Sequence, residues 1–238
     1  MLNKQGPGKI DWTDWTFNPI SGCLYGCEYC YMKRMEKRFP GIMRPKFHPE
    51  YLEKFKRMRK AKAGDKIFVG SSGDMWGYWA KTAWISEVLA EIFSYKQFTF
   101  QFLTKNPSAY RDWYLEDYTH CWFGTTVDGR HKTRRNLMDL AFALPDNLVK
   151  FVSFEPLLSP VNVSHTEWQN IDWVIIGADS NPGAAKPPNE WARTLINGAR
   201  DYGVPIWVKD NYGYPETIKQ FPKIKGTNNG CQKTENKK

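Results

Sequence analysis

Three cysteines fall within eight residues: Cys23, Cys27 and Cys30, in the stretch SGCLYGCEYCY (21–31). Thiolates at C-x3-C-x2-C on one short loop suit an iron–sulfur cluster, for which thiolate is the natural ligand. Three of them grip three irons of a [4Fe–4S] cubane and leave the fourth corner open to an outside ligand, the counterpart of the open position at a catalytic metal. Two other readings stay open. Structural zinc pairs two cysteine knuckles, or a Cys pair with a His pair, and no second knuckle exists because Cys121 and Cys231 stand alone. Inert thiols are the remaining reading. A ferredoxin-type run would need a fourth cysteine in related spacing, which the sequence lacks.

Such a loop needs a rigid frame. A first strand over 16–20 precedes the cysteines. Six apolar runs follow: KIFVG (66–70), FTFQFL (98–103), CWFGT (121–125), VKFVSF (149–154), IDWVIIG (171–177) and PIWV (205–208). They are continuous rather than alternating, as strands of a parallel sheet buried on both faces are. Between them, helical spacing predicts helices over 49–61, 82–95, 136–144 and 189–202. The stripe Ile85, Val88, Leu89, Ile92 and Phe93 is the clearest. This β-then-α alternation implies right-handed crossovers and a sheet curling towards a barrel. A full eight-fold barrel takes about 250 residues, so an α/β fold with an open, partial (β/α) barrel of about six to seven mostly parallel strands is expected. One domain is expected over 1–222, followed by a basic, polar, disordered tail over 223–238.

The ends of these strands carry the polar residues. Gly70, Ser71, Ser72, Gly73 and Asp74 follow the second strand, as a ligand-binding loop or a simple Gly-Ser turn. Thr104 and Lys105 end the third strand, Thr125 and Thr126 the fourth, and Asp179 the sixth. Ser153 and Glu155 close the fifth, in a run otherwise apolar. A carboxylate there is costly to bury unpaired, which favours a cofactor or substrate contact for Glu155 over a structural salt bridge. Lys105 and Lys209 are its candidate partners. No H-x-E or HExxH pattern accompanies the histidines, so metallohydrolase chemistry has no support.

The composition is that of a globular protein, with 41% hydrophobic and 25% charged residues among 238. No membrane-spanning stretch and no apolar leader core is seen, so a cytoplasmic location is expected. The net charge of +9 is unevenly spread: nine Lys or Arg against three acids lie between Arg44 and Lys66. Lys33, Arg34, Lys37 and Arg38 follow the cysteines, and a knot of Arg130, His131, Lys132, Arg134 and Arg135 opens a predicted helix. Such patches attract polyanions, although solvated helix faces give the same pattern. Trp122, Trp173 and Trp207 lie inside strand runs and are expected in the core.

The motif C-x3-C-x-aromatic-C after a first strand, with Tyr29 at the aromatic position, resembles the signature of the radical SAM superfamily. Further segments agree in order: IDWTDWTFNPISGC (10–23), FVGSSGDMWG (68–77), FLTKNP (102–107), FVSFEPLLSPV (151–161), IDWVIIGADSNPG (171–183) and VPIWVKDNYG (204–213). Together they resemble a family of short radical-SAM-like proteins of phages and bacteria, over about residues 9–213. That family reads Gly-Gly-Glu-Ser-Gly where this chain reads GADSN (177–181), so Asp179 keeps a carboxylate one methylene shorter.

The resemblance implies a [4Fe–4S] cluster on Cys23, Cys27 and Cys30 whose open iron takes the amino and carboxylate groups of S-adenosylmethionine. One electron from an external reductant of ferredoxin or flavodoxin type then splits a carbon–sulfur bond, giving methionine and a 5′-deoxyadenosyl radical. It places Tyr29, Gly70, Ser71, Ser72, Gly73, Asp74, Thr104, Thr125, Ser153, Glu155 and Lys209 near the cofactor. Glu155, Lys105 and Asp179 are the candidate catalytic groups. The basic patches favour a nucleic acid or nucleotide substrate, in the host cytoplasm if the gene is phage-borne. A small metabolite or peptide substrate, or a non-catalytic iron–sulfur module that binds nucleic acid, are the alternatives.

Overall fold

The computed structural model describes residues 2–6, 8–57, 60–223 and 225. Continuous apolar runs become the strands of one eight-stranded sheet. In chain order these are β1 (Leu2–Lys4), β2 (Trp15–Phe17), β5 (Lys66–Val69), β6 (Thr99–Thr104), β7 (Cys121–Thr126), β8 (Val149–Phe154), β9 (Trp173–Ile176) and β10 (Ile206–Val208). A separate antiparallel pair, β3 (Ile20–Ser21) and β4 (Lys46–Phe47), flanks the cysteine loop. The sheet order is β1-β2-β5-β6-β7-β8-β9-β10. From β2 onwards every pairing is parallel, and only β1 runs antiparallel, against β2. Among the described residues β10 does not pair back to β1, so the barrel stays open.

The seven parallel strands are those expected, six of them within two residues at each end, while β2 stops three residues before the end of the expected 16–20 strand. Seven helices accompany them among the described residues: α1 (Tyr31–Arg38), α2 (Pro49–Lys56), α3 (Thr82–Phe93), α4 (His131–Arg134), α5 (Asn136–Ala143), α6 (His165–Trp168) and α7 (Asn189–Asp201). The predicted helix over 49–61 ends sooner, its last residues running into positions outside the described set. The expectation of a disordered tail over 223–238 falls almost wholly outside it too, as does Cys231.

Strand alternation divides the buried residues between two faces. On one face Ile67, Val69, Phe100, Phe102, Phe123, Val152, Val174 and Ile176 pack against the helices. Burying Ile85, Val88, Leu89 and Ile92 of α3 contributes about 1.5–3 kcal/mol each, so apolar area rather than capping holds that helix. On the other face Trp12, Phe68, Trp122, Phe151, Trp173, Ile175 and Trp207 form an aromatic plug. Trp122, Trp173 and Trp207 are buried there as expected. The plug fills the lower part of the concave side, and the carboxyl ends of the strands rise above it.

Candidate metal and cofactor centre

The cysteine loop leaves β3 and lies across these strand ends, stitched to three of them. At β5, Gly22 donates its N–H to the Ser72 carbonyl at 3.0 Å, and Asn18 Oδ1 takes the Ser72 N–H at 2.9 Å. Gly22 and Gly73 meet backbone to backbone, where a Cβ on Gly73 would stand 2.6 Å from the Gly22 carbonyl oxygen. Tyr31 Oη reaches the Ser71 carbonyl at 2.9 Å. Beyond β7, Tyr29 Oη donates to Asp128 Oδ2 at 2.9 Å. Beyond β9, Asn181 Nδ2 donates to the Tyr29 carbonyl at 2.8 Å.

Cys23, Cys27 and Cys30 are free thiols, partly exposed, and all three line one cavity of about 250 Å³. Its walls include Tyr29, Gly70, Ser71, Gly73 and Asp74, then Thr104, Lys105 and Ser153, then Glu155 and Asp179. Burial pushes the Cys23 thiol up to about 12, a hydrogen bond from the Tyr25 backbone opposes it, and Asp74 and the two neighbouring thiols add to the rise. Thiolates here therefore need cations beside them, which cluster irons supply. Among the described residues no three His, Cys, Asp or Glu side chains converge on a single ion. The loop thus fits a cluster by ligand chemistry and by facing a hollow whose walls mix polar strand-end groups with Met32, Phe68 and Leu103.

Asp74 is buried and fully engaged: its carboxylate accepts from Thr104 Oγ1 and Lys105 N–H, both at 2.9 Å, and from Trp76 N–H at 3.0 Å. Burial raises its pKa, against the pull of those donors. Glu155 lines the cavity and is ion-paired with Lys209, the salt bridge being the contact seen. Gly177 makes this possible, since a Cβ there would sit 2.8 Å from the Glu155 carboxyl carbon.

A family model described as "Protein of unknown function (DUF5131)" matches residues 7–236. The chain belongs to this family. No curated protein sequence matches it. Among the most similar solved structures are forms of spore photoproduct lyase. A Cys-to-Ser variant gives a TM-score of 0.57 at 11% identity, covering 88% of this chain and 79% of that one. A Cys-to-Ala variant with dinucleoside spore photoproduct gives 0.56 at 10% identity with the same coverage. The lyase complexed with dinucleoside spore photoproduct gives 0.54 at 11%. At such identity the likeness is one of fold.

One expected site residue of the DUF5131 chain lies outside the cavity lining. Thr125 is buried, donates its hydroxyl to the Thr104 carbonyl at 2.8 Å and is not among the residues lining the cavity, whereas its neighbour Thr126 is. Ser72 contributes backbone bracing to the loop, and Lys209 reaches the site through Glu155. Asp179 Oδ1 accepts from Asn181 N–H at 2.8 Å and Asn181 Nδ2 at 2.7 Å, so the GADSN departure is the segment that holds Tyr29. Asp128 was not singled out from the sequence. It has no exposed surface and accepts from Tyr29, from Arg130 Nη2 at 2.8 Å and from Thr133 Oγ1 at 2.6 Å. Burial alone would raise its carboxyl, yet these donors hold it below the usual carboxylate range. The only signal was an acid, Val127–Asp128–Gly129, placed directly after a strand that is otherwise apolar.

Proposed function

We propose that this chain is a radical SAM enzyme in which Cys23, Cys27 and Cys30 hold a [4Fe–4S] cluster and S-adenosylmethionine occupies the adjoining cavity. The observation that carries this reading is the convergence of three free, partly exposed thiols with polar strand-end residues on one hollow. That hollow sits where ligands of parallel α/β sheets gather. The likeness of fold to spore photoproduct lyase, a radical SAM enzyme, supports it.

When bound, the reduced cluster supplies the electron that splits the sulfonium into methionine and a 5′-deoxyadenosyl radical. The protein's part is position, electrostatics and exclusion of water. The Gly70–Asp74 loop, rigid through Asp74, presents backbone groups and Ser71 to the cofactor. Ser153, Thr126 and the Glu155–Lys209 pair line the far wall. Lys105, Glu155 and Asp179 are the groups placed to meet a substrate or move its protons. An acidic one-electron carrier of ferredoxin or flavodoxin type is the fitting electron source. The reducing cytoplasm, the host's for a phage-borne gene, is the fitting setting.

For the substrate we favour a nucleotide or nucleic acid. The basic surface supports this, and the lyase structures it resembles hold a dinucleoside photoproduct. The test is anaerobic reconstitution with iron and sulfide, then dithionite and S-adenosylmethionine, with and without short DNA or RNA. Release of 5′-deoxyadenosine and methionine is expected, and its loss in Cys27→Ala. A cluster-loaded protein that releases neither under both conditions would leave the non-catalytic iron–sulfur module as the reading.

A further inference from the structure

Beside the cofactor cavity lies a second hollow of about 540 Å³ to which the proposed chemistry gives no role. The two share Tyr25, Cys27 and Lys105, so a molecule seated in the outer one extends directly towards the inner. Its size suits a nucleotide-scale ligand.

The charges around it are not equivalent. Of the basic knot at 130–135, Arg130 is bound to Asp128 at 2.8 Å and faces Glu28 at 3.6 Å. Arg134 is bound to Glu167 and Arg135 to Asp139. Among the described residues, the Lys105 and Lys132 ammoniums have no carboxylate within 4 Å, and both residues line the outer hollow. The Lys105 ammonium stands 5.4 Å from the Tyr29 ring centroid, and the Arg130 guanidinium carbon 5.2 Å from it. Unpaired ammoniums flanking a hollow call for an anion.

An aromatic step begins at Tyr25, which lines both hollows. Tyr25 meets Trp79 edge-on at 4.8 Å and Tyr78 at 6.4 Å, and Tyr78 is 74% exposed. Tyr25 Oη and Trp79 Nε1 are buried without a hydrogen-bond partner. Point-charge lysines suit phosphate, and an exposed ring such as Tyr78 suits a stacked base.

We propose that the outer hollow is a nucleotide subsite, in which Lys105 and Lys132 hold a phosphate and the Tyr25–Tyr78–Trp79 step receives its base. The proposal rests on the nucleotide reading of the substrate given above and adds the part of the substrate that is gripped. The phosphate belongs either to a free mononucleotide or to the diester of a strand.

The test is equilibrium binding of three probes to the reconstituted full-length protein: a thymidine 5′-monophosphate, a thymidine dinucleotide with its phosphodiester, and the same dinucleotide with an uncharged methylphosphonate link. A charged probe should bind about tenfold tighter than the uncharged dinucleotide. Lys132→Ala should weaken the better charged probe about fivefold and lower its salt slope by about one, with Lys132→Arg restoring both. Lys132 is exposed, so the substitution does not threaten the fold. Tighter monophosphate binding marks a free nucleotide, and tighter diester binding a strand. Equal binding of charged and uncharged probes, or a Lys132→Ala protein indistinguishable from wild type, overturns the subsite. No binding of any probe overturns the nucleotide reading with it, while 5′-deoxyadenosine release in the same preparation tests the radical SAM reading separately.

Discussion

Asp128 is the residue through which the cysteine loop is held in place from outside. Its carboxylate, stripped of solvent, joins Tyr29 of the loop to Arg130 and Thr133 beyond β7. Burial, with the charges of Cys27 and Asp128, pushes the Tyr29 phenol far up, so Tyr29 stays a donor at any working pH. Replacing Asp128 by Ala strands that hydroxyl and the guanidinium, at about 1–3 kcal/mol for the lost partners. Asp128→Ala should therefore lower both the thermal midpoint and the iron retained after reconstitution, with Asp128→Asn in between. An Asp128→Ala protein that keeps wild-type iron would show that the tether does not position the loop. The cysteines were legible because ligand spacing is local. Asp128 and Asn181 were not, because each acts on Tyr29 across 99 and 152 residues of chain, and no local pattern marks such a partnership.

At the scale of elements, the parallel strands were readable because burial on both faces makes each run apolar throughout. β1 was not: Leu2–Lys4 carries no apolar run and exists only through its pairing to β2. Nor was α1 predicted, since Tyr31–Arg38 reads as a charge cluster and buries only Met32. That Thr126 rather than Thr125 lines the cavity was not readable either, because a strand buried on both faces gives no alternation to separate the two threonines. Two short helices are joined by Arg134 of α4 and Glu167 of α6, whose carboxylate also completes the Ser164 capping box. Burial would raise the Glu167 carboxyl, but Arg134 and Ser164 hold it below the usual range. A depressed folded value means this stabilisation is fully present above the unfolded carboxylate value and is lost as pH falls through the folded one. Glu167→Gln keeps the cap and removes the charge. It should lower the thermal midpoint at neutral pH and flatten its decline in acid. An acid profile parallel to wild type would contradict the pairing.

At the scale of the whole molecule, the sheet, its helical coat and the aromatic plug are complete without the cysteine loop, which rests on top of them. On the proposed reading, folding is expected to be separable from cluster binding, unlike in small domains whose folding is metal binding. The open edge between β10 and β1 and the cationic outer hollow leave room for a substrate larger than the cofactor. The account stands on the three thiols, and the most direct measurement is iron and sulfide content with low-temperature EPR on anaerobically reconstituted, reduced protein, before and after S-adenosylmethionine. It predicts a [4Fe–4S] stoichiometry, a spectrum that S-adenosylmethionine alters, and loss of the signal in Cys27→Ala with the far-ultraviolet circular dichroism unchanged. Zinc in place of iron, no metal after iron and sulfide are supplied, or a cluster whose spectrum is indifferent to S-adenosylmethionine would contradict it.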